Sequence, residues 1–452
     1  MRTTFVRSIA SSIVGALVSL ATTIAADAKV IQVPGDYSTL QAAINASQTN
    51  DTIQIAPGVY TGQVQINSKS LTLIGQPGTI LRATTSMPRF PDSSVIPLIG
   101  IRRSQVTMRG LTLEGEQLAG RLGAPYDLLG IYLRQSSATV ENCAFYGFRE
   151  NTLGKSLAGA MGVLNTEPDA AEVRIRVAGS TFADNYNGVF FIGSPTRKSI
   201  DVTVENNTLT GPGPLNTSDS IIGILFREGA GGRILGNTVS GYSYIGTGAD
   251  SPTSFGILSD NEANYPAFGI AQPVLIEGNI LRNNQFHIAL LKSDGSVVSN
   301  NRFQGTAPGI IPVGLAVTGT NVTIANNQFE NMEEGIRLMG HDPTFGTSLG
   351  KAVDAQVTSN RFCGVTTPVN LQPLASATQV GTLVSCPIPP PPLAIAPAVL
   401  LSWPGLDDGW AVESATTVDG PWAASNATPF TQYGRHTIAV PVEGGDRFFR
   451  LR

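Results

Sequence analysis

Acidic, basic and imidazole side chains of this chain gather at one recurrent place, just after a short phrase of the form Gly-apolar-x-apolar. The phrase occurs as Gly130-Ile-Tyr-Leu133, Gly162-Val-Leu-Asn165, Gly188-Val-Phe-Phe191, Gly223-Ile-Leu-Phe226, Gly256-Ile-Leu-Ser259, Gly314-Leu-Ala-Val317 and Gly335-Ile-Arg-Leu338. Behind these phrases and their neighbours come Arg134; Glu167 and Asp169; Arg227 and Glu228; Asp260, Asn261 and Glu262; Lys292 and Asp294; His341 and Asp342. Carboxylates ~5–9.5 Å apart can cleave a glycosidic bond, a base beside a bound carboxylate can take the neighbouring proton, and clustered carboxylates can hold Ca²⁺. Lys292 or Arg227 is the expected base, and Asp260 with Glu262 or Glu228 the expected acid or Ca²⁺ ligands. Arg134, Glu262, His341 and Asp342 are the expected substrate contacts. The same residues also suit plain solvated turns, which carry charge without any chemistry.

A second phrase shows what positions them. Apolar-x-Asn-x-x-apolar and its close variants return as Val140–Phe145, Val204–Leu209, Ile234–Val239, Ile276–Leu281, Val298–Phe303, Ile324–Phe329 and Val357–Phe362. Each half-phrase alternates with period two over about four residues, which makes a short strand and cannot fill a helix. Self-similarity at roughly 20–40 residues marks a solenoid. The expected fold is therefore all-β, a parallel coil of about ten rungs with ~4.8 Å of rise each. Asn207, Asn237, Asn279, Asn301, Asn327 and Asn360 are expected at the bends, because Asn tolerates a left-handed backbone and its amide can bond to the next rung. Phe145, Phe182, Phe303, Phe329 and Phe362 are expected to stack in the core.

The outward positions of the Gly-apolar-x-apolar strands read Tyr132, Leu164, Phe190, Leu225 and Leu258 before turning to Arg337 and Asn370. Such an apolar stripe is a liability on a free surface. Burial beneath the long insertions Asp260–Gln272 and Gly340–Ala352 is the expectation, with a sugar-stacking platform or a subunit contact as alternatives.

Composition agrees with a turn-rich β protein. Charged residues make up 14% of the 452 positions, with 49 Gly and 29 Pro. The net charge of −4 gives no surface for nucleic acid, and six Met with three His argue against a metal-handling role. Arg2 and Arg7, an apolar run from Ile9 to Ile24 and Ala26-Asp27-Ala28 read as a secretory signal over residues 1–28. No later stretch has the ~18 apolar residues needed to span a bilayer. The mature chain is thus expected to be secreted, periplasmic or on the cell surface. Of the three cysteines, Cys143 reads as a buried thiol, whereas Cys363 and Cys386 flank the last rung, where a disulfide would staple the end of an exported coil.

The opening of the mature chain has a short helix with Leu40, Ala43 and Ile44 on one side and Ser38 placed to cap it, suited to plugging the open end of the coil. Gln41-Ala-Ala-Ile44, Asp51-Thr-Ile-x-Ile-x-Pro-Gly-Val-Tyr60 and Leu71-Thr-Leu-Ile-Gly75 follow in order. This opening, with the Asn-bearing rungs, resembles the right-handed parallel β-helix proteins of the pectin lyase-like superfamily over residues 29–386. The resemblance implies the fold and a glycan as partner, with polysaccharide processing or binding as the activity. The superfamily's pectin methylesterase, pectate lyase and polygalacturonase phrases are missing, so no catalytic residue carries over. Residues 387–393 are a Pro-rich linker, and residues 394–452 hold all three Trp in short alternating strands. That module resembles the fibronectin- or immunoglobulin-like sandwiches that end secreted bacterial proteins in Phe-Phe-Arg-Leu, with Trp403 and Trp422 as core residues. Two functions follow: a lyase or hydrolase of acidic glycans, and a non-catalytic surface or adhesion-type rod.

Overall fold

The computed structural model describes residues 28–91, 93–119, 127–150, 158–215, 220–244, 253–261, 272–305, 312–340, 350–380, 384–386, 394–395, 400–404, 411–424, 430–432, 435–439 and 448–452. From Val30 to Cys386 the chain is a parallel β-helix with three strand faces per turn. Face A runs from Val30–Val33 to Ala377–Val380 and carries 13 strands. Face B takes the short strands that follow each Asn-bearing bend, such as Ala144–Tyr146 and Thr208–Thr210. Face C takes the Gly-apolar-x-apolar strands, such as Asp127–Arg134 and Ile222–Arg227. Every pairing between successive rungs of the coil is parallel, so side chains one turn apart lie in columns.

The bend from face A to face B explains the Asn phrase and divides its work between two residues. The first residue takes the left-handed backbone: Gly110, Asn142, Gly179, Asn206, Gly236, Gly278, Asn300, Asn326 and Ser359 all have φ between 52° and 67°. The second points inward and is the one predicted to do both jobs. Asn237 donates its backbone N–H and its Nδ2 to Oδ1 of Asn279 at 2.8 and 3.0 Å, and Asn279 does the same to Asn301 at 2.9 Å each. The ladder continues through Asn327 to Asn360. Each Nδ2 also donates to a face A carbonyl, as from Asn301 to Ile276 O at 2.9 Å. At the N-terminal end Ser180 and Cys143 take the ladder place, with the Cys143 N–H donating to Ser180 Oγ at 3.1 Å. These side chains are almost fully buried, and a buried amide must find all its partners inside the coil.

Beside the ladder stand the apolar columns. Phe145 stacks on Phe182 at 4.7 Å, and Phe303, Phe329 and Phe362 stack at 4.4 and 4.9 Å with nearly parallel planes. Burial pushes the free Cys143 thiol up to about 11. Glycine in the face C phrase has a steric cause: a Cβ at Gly188 or Gly223 would stand 2.3 or 2.4 Å from a carbonyl oxygen of the next rung. The helix Leu40–Ala46 buries Leu40, Ala43 and Ile44, and its cap is Thr39, whose side chain accepts from Ala42 N at 3.2 Å, in place of the expected Ser38. Cys363 and Cys386 are in register on neighbouring strands, 4.8 Å apart at Cα, and form a disulfide.

Among the described residues between Ala394 and Leu451, the strands form two small antiparallel sheets, of four and three strands. Leu401 and Ile438 of the first share a core with Val412, Phe449 and Leu451 of the second. Trp422 is half-buried beneath the Arg450 guanidinium, 4.5 Å from its ring centre, and stands apart from that core, which corrects the expectation. Trp410 and the Trp403 side chain lie outside the described residues.

The inward and outward residues of the bend should differ sharply on substitution. Asn301→Ala removes the acceptor of two Asn279 donors, so it is expected to cost about 3–5 kcal/mol, read as a fall in Cm by urea denaturation. Asn300→Gly at the exposed left-handed position should stay within about 0.5 kcal/mol. His287 is wholly buried, bonded through Nδ1 to Asn284 Nδ2 at 3.2 Å, and burial holds its pKa down at about 4. The unfolded chain therefore binds this proton first, and stability is expected to fall by about 3 kcal/mol as pH drops from about 6.5 to 4. His287→Phe should flatten thermal stability over that pH range.

Candidate functional site

The bend from face C to face A carries the predicted chemical residues. Arg102, Arg134, Leu164, Ile192, Arg227, Asp260 and Leu291 end the face C strands in one column. The next residue begins the bend, and at Arg103, Gln135, Glu228 and Lys292 its φ lies between 49° and 56°. A left-handed backbone is uncommon for such residues. Its recurrence here shows that the bend dictates it, and that the long side chains leave the coil along one edge.

At the centre of that edge the Arg227 guanidinium meets the Asp260 carboxylate of the next rung at 3.3 Å. Asp260 is largely covered, its side chain 14% exposed, while Arg227 is 36% exposed. Glu228 follows Arg227 directly. Burial pushes its carboxyl above the usual range, Arg227 pulls the other way, and the nearby Asp260 charge adds to the rise. Two buried polar atoms here have no hydrogen-bond partner, the donor Arg227 Nε and the acceptor Asn261 Oδ1. Asn261 is held from below, with Nδ2 donating to Ser293 Oγ at 3.3 Å and Ser293 Oγ bonded to Ser259 Oγ at 2.8 Å.

The structure thus brings together Arg227, Glu228 and Asp260. Lys292 stands two bends beyond Glu228, about 10 Å away at the usual strand spacing, its stem beside Gly350 and its N–H donating to Thr318 Oγ1. Arg134 belongs elsewhere: it pairs with Glu167 at 2.9 Å, three rungs or about 14 Å from Arg227. Glu262, His341 and Asp342 lie outside the described residues. Among the described residues no three His, Cys, Asp or Glu side chains gather as a metal site. The donor set at Asp260 does not fit Ca²⁺, because its carboxylate already faces a fixed guanidinium charge. Among the described residues no helix is long and apolar enough to cross a membrane.

Register corrects the outward stripe. Tyr132 is followed by Gly162, then Phe190, Leu225 and Leu258; Leu164 stands two places away, level with Arg134. The column's Gly position in that rung is held by Ala160, not Gly162. The stripe is packed: Phe90 meets Tyr132 edge-on at 5.1 Å, and Phe255, Leu258, Phe286 and Met339 belong to a second buried cluster. Arg337 closes its far end, paired with the buried Glu334 at 2.5 Å and lying over Phe286. Sequence reasoning passed over Ser259. It occupies an inward column with Phe226 before it and Leu290 after it, so a lone hydroxyl in that apolar series was the signal for the support beneath Asn261.

Comparison with known proteins gives a match to the family described as right handed beta helix region, over residues 223–367. No curated protein matches the chain. Among solved structures it is similar to an alginate lyase from Paenibacillus sp. str. FPU-7, at 12% identity and a TM-score of 0.46, covering 68% of this chain and 97% of that one. It is also similar to the A-module of the mannuronan C-5 epimerase AlgE6 of Azotobacter vinelandii, at 16% identity, TM-score 0.46 and coverage of 77% and 94%. The Dettilon tailspike protein is similar at 14% identity, TM-score 0.45 and coverage of 79% and 68%.

Proposed function

We propose that this chain is an exported β-helix that processes an acidic polysaccharide at the Arg227, Glu228 and Asp260 edge of face C. The observation that carries the reading is Glu228. Where a carboxyl elsewhere in the coil serves a rung-to-rung ion pair, as at Glu141, its Arg partners hold it low, whereas burial raises Glu228 against the pull of Arg227. A raised carboxyl in a partly covered site is suited to give up a proton.

Arginine is a poor base and its planar guanidinium matches a carboxylate, so the partly exposed Arg227 head is assigned to hold a sugar carboxylate. Asp260 holds the guanidinium in place. Since Asp260 is engaged there, a second free carboxylate for hydrolysis is missing from this group, and elimination fits better. In that reaction Lys292 takes the proton beside the sugar carboxylate, the glycosidic C–O bond breaks with its electron pair on oxygen, and Glu228 protonates the leaving oxygen. The product is an unsaturated uronide and a free hydroxyl.

The second reading, a non-catalytic glycan-binding rod, is favoured by the series Arg109, Glu141, Arg176 and Glu205, in which charges on successive rungs pair as a structural device. In either case the terminal module, read as a fibronectin- or immunoglobulin-like sandwich, would serve spacing or attachment.

The test is incubation of the mature chain with pectic, alginate and sulfated polysaccharides, following unsaturated-uronide absorbance and new reducing ends. Absorbance is expected, and Glu228→Gln should lower the rate about 10²–10⁴-fold with little change in thermal stability. Because the acid form is the working one, the wild-type rate should fall as pH rises through the Glu228 pKa, and Glu228→Gln should lose that limb. Reducing ends without absorbance would replace elimination by hydrolysis. No reaction on any substrate would leave the rod.

A further inference from the structure

We infer that the N-terminal end of the coil holds a separate binding subsite for a neutral, hydroxyl-rich sugar segment. A cleft of about 470 Å³ opens between the capping helix and the strand Val64–Asn67. That volume lies within the ~300–1,000 Å³ of small-ligand sites. Its walls carry the carboxamides of Gln41, Asn45, Gln63, Gln65 and Asn67, and no carboxylate lines it.

The amides are fixed in advance. Gln41 grips the Gln65 backbone on both sides, its Oε1 accepting from Gln65 N at 2.7 Å and its Nε2 donating to Gln65 O at 3.1 Å. Gln63 Nε2 donates to Pro88 O and Pro97 O at 2.7 and 2.8 Å, and its Oε1 accepts from Gln65 Nε2 at 2.7 Å. This leaves Asn45 Nδ2, Gln65 Oε1 and the Asn67 carboxamide as unspent donors and acceptors on the cleft wall. Rigid amides that offer both roles side by side match neighbouring hydroxyls, and ordering them costs little on binding.

Charge selects the ligand class. The one ammonium in the lining, Lys69, gives its three N–H groups to Ile44 O, Asn45 O and Ser47 O at 2.7–3.0 Å, closing the end of the capping helix. Its donors are spent, so an anion finds no free N–H to bond there, and a cation finds no carboxylate. A neutral sugar is what remains. The exposed Pro88 gives the cleft an apolar surface for the sugar's C–H face, with the buried Met87 behind it. The inference does not rest on the Glu228 site, which lies on later rungs.

Calorimetric titration of the full chain with cellohexaose, laminarihexaose and mannohexaose tests it, with a hexauronate as the charged contrast. Saturable binding of at least one neutral hexamer is expected, weakened tenfold or more by Asn67→Ala and by Gln65→Ala. Both variants should keep the wild-type melting temperature, since the Gln41 grip is on the Gln65 backbone. Glu228→Gln should leave the neutral binding unchanged. Absence of binding by all three neutral hexamers at millimolar concentration overturns the inference. So does undiminished binding in both variants, or tighter binding of the hexauronate that Asn67→Ala weakens.

Discussion

A polar bend that turns into the core is the constraint on which the coil depends. At the face A to face B corner each rung buries a carboxamide, and burial of an amide is tolerable only if its donors and acceptor are met. The next rung meets them, through one Oδ1 that accepts from both the backbone N–H and the Nδ2 of its neighbour. A slip of a single residue would leave several of these groups unpaired at once, which fixes the stacking register of the whole series from Ser180 to Asn360. Once register is fixed, the Phe column stacks and the face C glycines meet the carbonyls of the following rung.

The opposite corner, from face C to face A, is built differently. Its left-handed residue can be Arg, Gln, Glu or Lys because the side chain leaves the coil and needs no partner inside. That freedom places ionisable groups in a line at the spacing of the rungs. Some then pair along the line, as Arg134 does with Glu167, and half-exposed pairs of this kind add little to stability. The Arg227 and Asp260 pair is distinguished by the raised carboxyl of Glu228 beside it, whereas the buried unpaired acceptor of Asn261 has a counterpart at Asn165.

Face C also presents two surfaces of different character. Its middle rungs are apolar outward and packed, from Tyr132 to Ala316. Its first strand turns outward with Gln65 instead, where the capping helix supplies Gln41 and the amide cleft forms. The helix thus closes the core with Leu40, Ala43 and Ile44 and lends its polar side to the cleft.

Residue order alone is enough to predict the repeated rung, the inward Asn series, the Phe stacks, the apolar face of the capping helix and the placing of Cys363 and Cys386 at the end of the coil. All of these rest on short-range alternation and on which residue types can be buried, and both are written locally. Tertiary structure decided which of the two bend residues is left-handed and which is buried. It also moved Leu164 out of the Tyr132 column, parted Arg134 from Arg227 and turned Asp260, expected to act with Glu228, to the Arg227 guanidinium. Those outcomes depend on how many residues each insertion adds before the chain re-enters the ladder, and spacing in sequence does not reveal register between rungs. Ser259 and the Gln41, Gln63 and Gln65 network were hidden for the same reason: an ordinary polar residue acquires its role only from the neighbour one turn away.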